Sequence, residues 1–273
     1  MRFPALRSPS FRLYEGGGFF SVNGQWINRV VIGWVGWEMT GSATWVGLLS
    51  FCLFAPTVIS SPLFGVLMDR IRLRPAALVS HGIVAASSLA LYLLHAADAL
   101  TIWGLVVVAL VIGFAGSAER SVRMTIVPRM VELSVLPNAV AIHAANFNVA
   151  RLIGPAIGGI MIETLGTGTT MLINVFVFIP NLVAIFFLTV REREGSKGGR
   201  KHFLVELWEG ARHAALHPII REAMLLTAIS SLTIRGVAEI VPVIADGVFD
   251  RGAEGLGQML SAGGGGALIA ALT

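Results

Sequence analysis

Charge is what this chain has least of. Only 13% of its 273 residues are Asp, Glu, Lys or Arg, where a soluble domain carries about 25%. Hydrophobic residues make up 55% of the chain and the mean hydropathy is +0.77. A globule in water cannot cover its surface from that inventory, so the composition places the whole chain in a membrane. Cysteine is almost absent as well. Cys52 is alone in an apolar run, which excludes an internal disulfide, and no Cys/His group has metal-ligand spacing. No nucleophile stands beside a base, no glycine loop is built to cradle phosphate, and no pair of carboxylates suggests acid–base work. The expectation is therefore a protein that is not an enzyme, with no cofactor, no metal and no catalytic residues. The formal net charge of +4 would suggest nucleic acid in a soluble protein. Here the basic residues fall in alternate loops, so topology explains the charge and no nucleic-acid partner is expected.

What the chain does have is long apolar runs. A helix needs roughly 20 apolar residues to cross a hydrocarbon core about 30 Å thick. The runs predict helices over about Tyr14–Glu38, Thr44–Met68, Pro75–His95, Leu100–Ala118, Leu136–Thr164, Thr170–Val190 and Glu222–Val243, with another starting near Leu256. The fifth is expected to be interrupted at Gly154-Pro155. Charged residues 191–201 open a long inner link, followed by an apolar helix face (Phe203, Leu204, Leu207, Trp208, Ala211) suited to lying on the inner leaflet. The stretch Gly65–Pro75 holds Asp69, Arg70, Arg72 and Arg74 between two apolar runs, and such charges must lie outside hydrocarbon. Sixteen of the twenty Lys and Arg residues fall in segments on that same side, and Arg251 alone falls in an outer loop. The positive-inside rule then puts the N-terminus and these loops in the cytoplasm. The first residues read as a cytoplasmic tail, since no apolar run there ends in a small-residue cleavage site.

Three arginines, Arg29, Arg151 and Arg235, lie inside predicted helices, where such a residue faces protein interior, a partner or water. Arg29 and Arg151 fall at comparable depth and would line one aqueous cavity together with Asn23, Gln25, Asn28 and Asn148. Bonding between helices explains the same residues equally well. Arg235 and Glu239 have the spacing of an i,i+4 pair. Glu38, Glu119 and Glu163 lie near predicted helix ends and read as ordinarily solvated, which leaves no buried acid for a proton relay. Gly154, Gly158 and Gly159 clear one helix face for close packing, and Pro155 is placed to kink it.

Two of these motifs carry a resemblance. Gly65-x-x-x-Asp69-Arg70-x-Arg72-x-Arg74 resembles the loop 2–3 signature of the major facilitator superfamily, with Arg72 and Leu73 departing from its usual glycine and first basic residue. Gly154-Pro155-x-x-Gly158-Gly159 is similar to the antiporter signature of exporters, without its earlier glycines. Phe11–Tyr14, Trp26–Trp34, Leu136–Val140 and Asn148–Pro155 resemble the enterobactin-exporter-like branch. The resemblance implies an all-α polytopic membrane protein. Residues 1–190 would form a six-helix bundle, 191–220 a cytoplasmic linker, and 221–273 the first two helices of a second bundle. It implies a secondary exporter of small amphipathic or siderophore-like molecules in the bacterial inner membrane, coupled to protons. Asp69, Arg70, Arg74 and Gly65 would form an inner gate, and Gly154-Pro155 would permit helix movement. Because family members have twelve helices, a fragment of a larger transporter is the expectation. A non-transporting fragment or partner subunit is the alternative. Nothing in the sequence indicates an oligomeric state.

Overall fold

The computed structural model describes residues 3–68, 70–190, 208, 212, 215–230 and 239–272. Among these there is no strand. The helices are α1 (Pro9–Thr40), α2 (Ala43–Met68), α3 (Leu73–Ala96), α4 (Ile102–Ile126), α5 (Leu136–Leu165), α6 (Thr167–Val177), α7 (Ile179–Phe186), α8 (Pro218–Ser230) and α9 (Gly252–Leu272). Among the described residues, four spans are long and apolar enough to cross a membrane: Leu73–Ala96, Ile102–Arg129, Leu133–Leu165 and Thr167–Phe186. A fifth is α2, if its two halves count as one span. The chain is an all-α, multi-pass membrane protein.

Local sequence explains most of the helix boundaries and breaks. Ser8 opens α1 by accepting the Phe11 N–H, and Gly41 closes it in the left-handed conformation that an L side chain resists. The bend of 40° in α2 falls between Val58 and Ser60. Pro62 accounts for it, because it offers no N–H to the Val58 carbonyl and its ring crowds that group. Pro56 frees the Cys52 carbonyl in the same way. Gly113 of α4 lies against that freed carbonyl, so closely that an added Cβ would sit 2.8 Å from the Cys52 oxygen. Pro180 divides the sixth predicted helix into α6 and α7, and residues 188–190 are not helical.

α1 lies at the centre. It is too polar to read as a spanning helix by hydropathy, yet it is buried nearly all round from Val30 to Gly36. It packs against α2, α5, α6 and α7, while α2 and α3 pack on α4 and α9 on α5. One apolar core joins Ile27, Ile32, Leu49, Leu105 and Ile162 to Leu256 of α9. A second, at the end carrying the N-terminus, gathers Phe11, Met68, Leu73, Val122, Ile126 and Leu188. Outward-facing Val58, Trp103, Phe176 and Leu226 remain exposed, as a surface meeting lipid requires.

Several expectations shift. The N-terminal segment, read as a tail, is tied to the rest of the fold: residues 4–7 form a turn whose Ala5 N–H donates to Asn138 Oδ1 at 3.1 Å, and Ser8 Oγ donates to the Met130 carbonyl at 2.7 Å. The fourth helix, expected to continue past Ala118 in polar surroundings towards Val127, does so to Ile126, and Glu119, Arg120 and Arg123 lie on it. α5 continues unbroken through Pro155. The supposed outer loop after the seventh helix is shorter than expected, because a π-helical turn occupies Val243–Val248 and α9 starts at Gly252. Asp69, Arg235 and the charged link 191–201 lie outside the described residues, as does nearly all of the expected interfacial helix.

Candidate functional site: polar clusters around the central helix

The polar residues of α1 do not point into one common space. They distribute among neighbours on different sides of the helix, and each neighbour decides what the residue can do.

Arg29 faces the C-terminal part of the chain. Its guanidinium bonds the Glu239 carboxylate at 2.8 and 3.0 Å, and both side chains keep a little under a fifth of their surface exposed. The guanidinium also lies over the Phe54 ring at 3.8 Å and near Trp26 at 4.9 Å, which adds cation–π attraction. Glu239, which its spacing assigned to Arg235, therefore holds Arg29 across 210 residues of sequence. Further along α1, Trp37 Nε1 donates to Asp246 Oδ2 at 2.7 Å, and Asp246 in turn accepts the Gly252 N–H that opens α9.

Asn28 faces the opposite side. It donates to Ser88 Oγ of α3 at 2.6 Å and accepts from Asn174 of α6 at 2.7 Å; Asn174 also donates to the Gly24 carbonyl. This chain of buried bonds ties three helices together. Asn23, also buried, donates to the Phe19 carbonyl of its own helix. Asn148 likewise bonds back to Ala144 on an exposed face of α5, and Arg151 is exposed one turn on. The six residues expected to line one cavity are thus divided among separate environments.

Gln25 leads to the group that the sequence reading passed over. Its amide donates to both oxygens of Glu119, at 2.9 and 2.8 Å. Glu119 also binds Arg123 one turn further along α4, and His81 of α3 approaches to 3.1 Å. The Glu119 and His81 side chains are each 2% exposed. Far from being ordinarily solvated, Glu119 is a sealed acid shared by α1, α3 and α4. A second buried acid is close by. Glu15 accepts from Asn146 of α5 at 2.8 Å, and its other oxygen lies 2.7 Å from His143 Nδ1. The signal for the first cluster was Glu119 and Arg123 at i,i+4, continuing the apolar face of α4 past Ala118. No local pattern announced His81.

The glycines of α5 act as close contacts. A Cβ on Gly154 would sit 2.7 Å from Trp26 Cβ, and one on Gly158 would be 3.4 Å from Ile27 Cα, so these two face α1. Gly159 faces α9, where an added Cβ would lie 2.7 Å from Gly257 Cα. Around the loop between α2 and α3, Gly65 in the last turn of α2 has open space, and Arg74 in the first turn of α3 donates to the Phe186 carbonyl at the end of α7 while lying near the Phe186 ring. That carbonyl belongs to the last turn of α7, the negative end of the helix dipole. Arg70 stands in the connection itself, its N–H donating to the Leu67 carbonyl at 2.9 Å.

Comparison with known proteins gives these features a family. Residues 2–273 match the family described as transmembrane secretion effectors. The multidrug efflux pump Tap of Mycolicibacterium fortuitum is 26% identical over 76% of this chain and 53% of its own length. The staphyloferrin A transporter of Staphylococcus aureus is 23% identical over 96% of this chain and 66% of its own. The MFS-type transporter y4rN of Sinorhizobium fredii is 25% identical over 82% and 56%. The chain thus spans between about half and two thirds of the length of these curated relatives. A match of this extent, on an all-α multi-pass chain, means that the protein belongs to the transmembrane secretion effectors of the major facilitator superfamily, a family of membrane transporters rather than enzymes.

Proposed function

We propose that this chain forms the first six-helix bundle and the opening helices of the second bundle of a secondary exporter for small amphipathic or siderophore-like molecules, driven by protons. The divisions fall at residues 1–190, 191–220 and 221–273, with the N-terminus on the cytoplasmic face of a bacterial inner membrane. The observation that carries the reading is the match to a secretion family over residues 2–273. Two relatives named for drug efflux and for staphyloferrin A transport support the cargo class.

The geometry supports assigning roles. Arg29, held by Glu239 yet partly exposed, is the best placed of the expected cavity residues to meet cargo. Arg151 and Asn148 offer polar groups on the exposed face of α5. Gln25 and Asn28 support the lining from behind it through the helix-to-helix bonds described above, and buried Asn23 through its bond within α1. Gly154, Gly158 and Gly159 allow α5 to lie close to α1 and α9, and with Pro155 they form the surface along which α5 moves. Gly65, Asp69, Arg70 and Arg74 form the inner gate.

The test is reconstitution of the full chain into proteoliposomes with an imposed pH gradient. A lipophilic dye and a ferric carboxylate siderophore serve as cargo, with Arg29→Ala and Arg151→Ala as variants. Gradient-dependent movement of either cargo, reduced several-fold in Arg29→Ala, is expected. Movement of neither cargo by the wild-type chain would overturn the reading, and unchanged transport in both variants would remove their cavity role.

A further inference from the structure

The His81 ring has both nitrogens against oxygen atoms. Nδ1 lies 2.9 Å from the Ala77 carbonyl oxygen. A carbonyl only accepts, so Nδ1 carries a proton. Turning the ring over would place carbon against both oxygens and lose the two contacts together. With Nδ1 protonated, a neutral ring has only a lone pair at Nε2. That atom sits 3.1 Å from Glu119 Oε1, is buried, and has no hydrogen-bond partner among the described residues.

The remaining contacts show why this matters. Gln25 and Arg123 already donate to Glu119, and a carboxylate that accepts from both is suited to stay ionised. A neutral imidazole would then set its lone pair beside a buried negative oxygen at a depth where water does not screen the repulsion. One further proton removes the conflict, either as imidazolium beside carboxylate or as neutral imidazole accepting from a carboxylic acid. We propose that His81 and Glu119 together form a buried proton-binding site that holds one proton between α3 and α4.

Among the described residues, other charged and titratable groups act on the site. Arg123 shares Glu119 from α4, and the Tyr14 phenol and Glu15 carboxylate of α1 act electrostatically on Arg123. Glu15 is itself engaged by His143 and Asn146 of α5. From α2 the nearest polar contact with α4 is a hydroxyl pair, Ser61 with Ser117 at 3.2 Å. Binding the proton takes the His81–Glu119–Arg123 set from neutral to a single positive charge, with Glu15 supplying the compensating negative charge nearby. The proton comes from bulk water and returns there; no bond other than N–H or O–H forms or breaks. Losing it opposes the packing of α3 on α4, which links protonation to the arrangement of this end of the bundle.

The experiment uses the full chain in lipid nanodiscs with ¹⁵N-labelled histidine. Six histidines are present, and His81→Gln assigns the His81 signals by their loss. Between about pH 5 and 8, where histidine ordinarily changes charge, His81 is expected to show both ring nitrogens protonated. If the proton resides on oxygen instead, difference infrared spectra will show a carboxylic-acid band that disappears in Glu119→Gln. Either signature supports the site. A neutral Nδ1–H ring together with an ionised Glu119 throughout that range overturns it. So does a His81 ring that stays an imidazolium over the same range in Glu119→Gln, a variant that keeps the shape of the side chain. The proposal deepens the proton-driven reading above but is measured without transport. A chain that moves no cargo yet holds this proton would lose the proposed function and keep the site.

Discussion

Two ion pairs on opposite sides of α1 differ in a way that assigns them different work. Glu119 with Arg123 and His81 is sealed, the acid and the imidazole almost wholly removed from solvent. Arg29 with Glu239 keeps about a fifth of each side chain open, and it joins α1 to a segment more than 200 residues away. The sealed cluster lies wholly within helices α1, α3 and α4, which pack as one body. The open pair connects that body to the chain beyond the charged link. Burial makes the first costly to break and slow to exchange with water. Partial exposure leaves the second able to trade partners with a charged ligand at modest cost. The difference separates a group that holds α1, α3 and α4 together from one placed to respond to a charged ligand.

The comparison breaks most decisively at Glu119. Glu119→Ala strands the Arg123 guanidinium, the Gln25 amide and the imidazole, and the loss of one partner from a buried pair costs about 3–5 kcal/mol. Unfolding of the purified chain in a mild detergent, followed by intrinsic fluorescence, reads that loss. The double variant Glu119→Met with Arg123→Leu is expected to recover most of it, because removing both charges also removes their desolvation. A single-variant loss under about 1 kcal/mol would mean the cluster is wetter than its burial implies.

Next in size is Gly159, where α5 meets α9 backbone to backbone. Gly159→Leu forces its Cβ towards Gly257 Cα, and such overpacking costs about 1–3 kcal/mol. A cysteine pair placed across the same contact should crosslink in the parent chain and fail to do so in Gly159→Leu. Gly116→Ala, where an added Cβ meets nothing, is the control that should leave both readings unchanged. Equal crosslinking in Gly159→Leu would show that α9 does not depend on this contact.

Much of the helical layout was legible because long apolar runs leave few alternatives. The ends of α3 and α5 fell within a residue or two of expectation, and Pro56 and Pro62 pointed to the bend in α2, while the break before Pro180 in the sixth helix was not read. The polar contacts were less legible for a physical reason. An arginine or glutamate inside an apolar run signals that a partner exists, but the partner stands on another helix, and local spacing does not say which. Arg235 lies outside the described residues, but Glu239, its neighbour at i,i+4, also meets Arg29 from a helix 210 residues away. Glu119 was assigned to solvent because it lies near the predicted end of the fourth apolar run, a place shared by solvated residues and by a helix that extends beyond the hydrocarbon into packed protein. Only the packing of α3 and α1 against α4 decides between those two.

The open pair is expected to cost less. Arg29→Ala should lower stability by about 1 kcal/mol, within the range for incompletely buried ion pairs. Its larger effect belongs in transport, where the several-fold loss proposed above is read. Exchanging the two charges, as Arg29→Glu with Glu239→Arg, separates the roles. Recovery of stability without recovery of transport would assign the arginine to cargo, and recovery of both would reduce the pair to a connection between segments. No recovery of either would mean that the aromatic rings of Trp26 and Phe54 select for a cation on α1.

The smallest stability effect is expected at Arg151, and it tests the comparison from the other side. Arg151 is exposed on α5, and among the described residues no ion pair or hydrogen bond to its side chain is present. Removing it should change stability by less than about 0.5 kcal/mol, the usual range for surface substitutions. If its place is in the cargo path, Arg151→Ala should still slow transport, while Arg151→Lys keeps a positive charge there and recovers part of the rate. A loss of stability comparable to that in Arg29→Ala would instead show that Arg151 is held by packing. Unchanged transport with unchanged stability would leave Arg29 as the cavity arginine, narrowing the proposed lining to the side of α1 that faces Glu239.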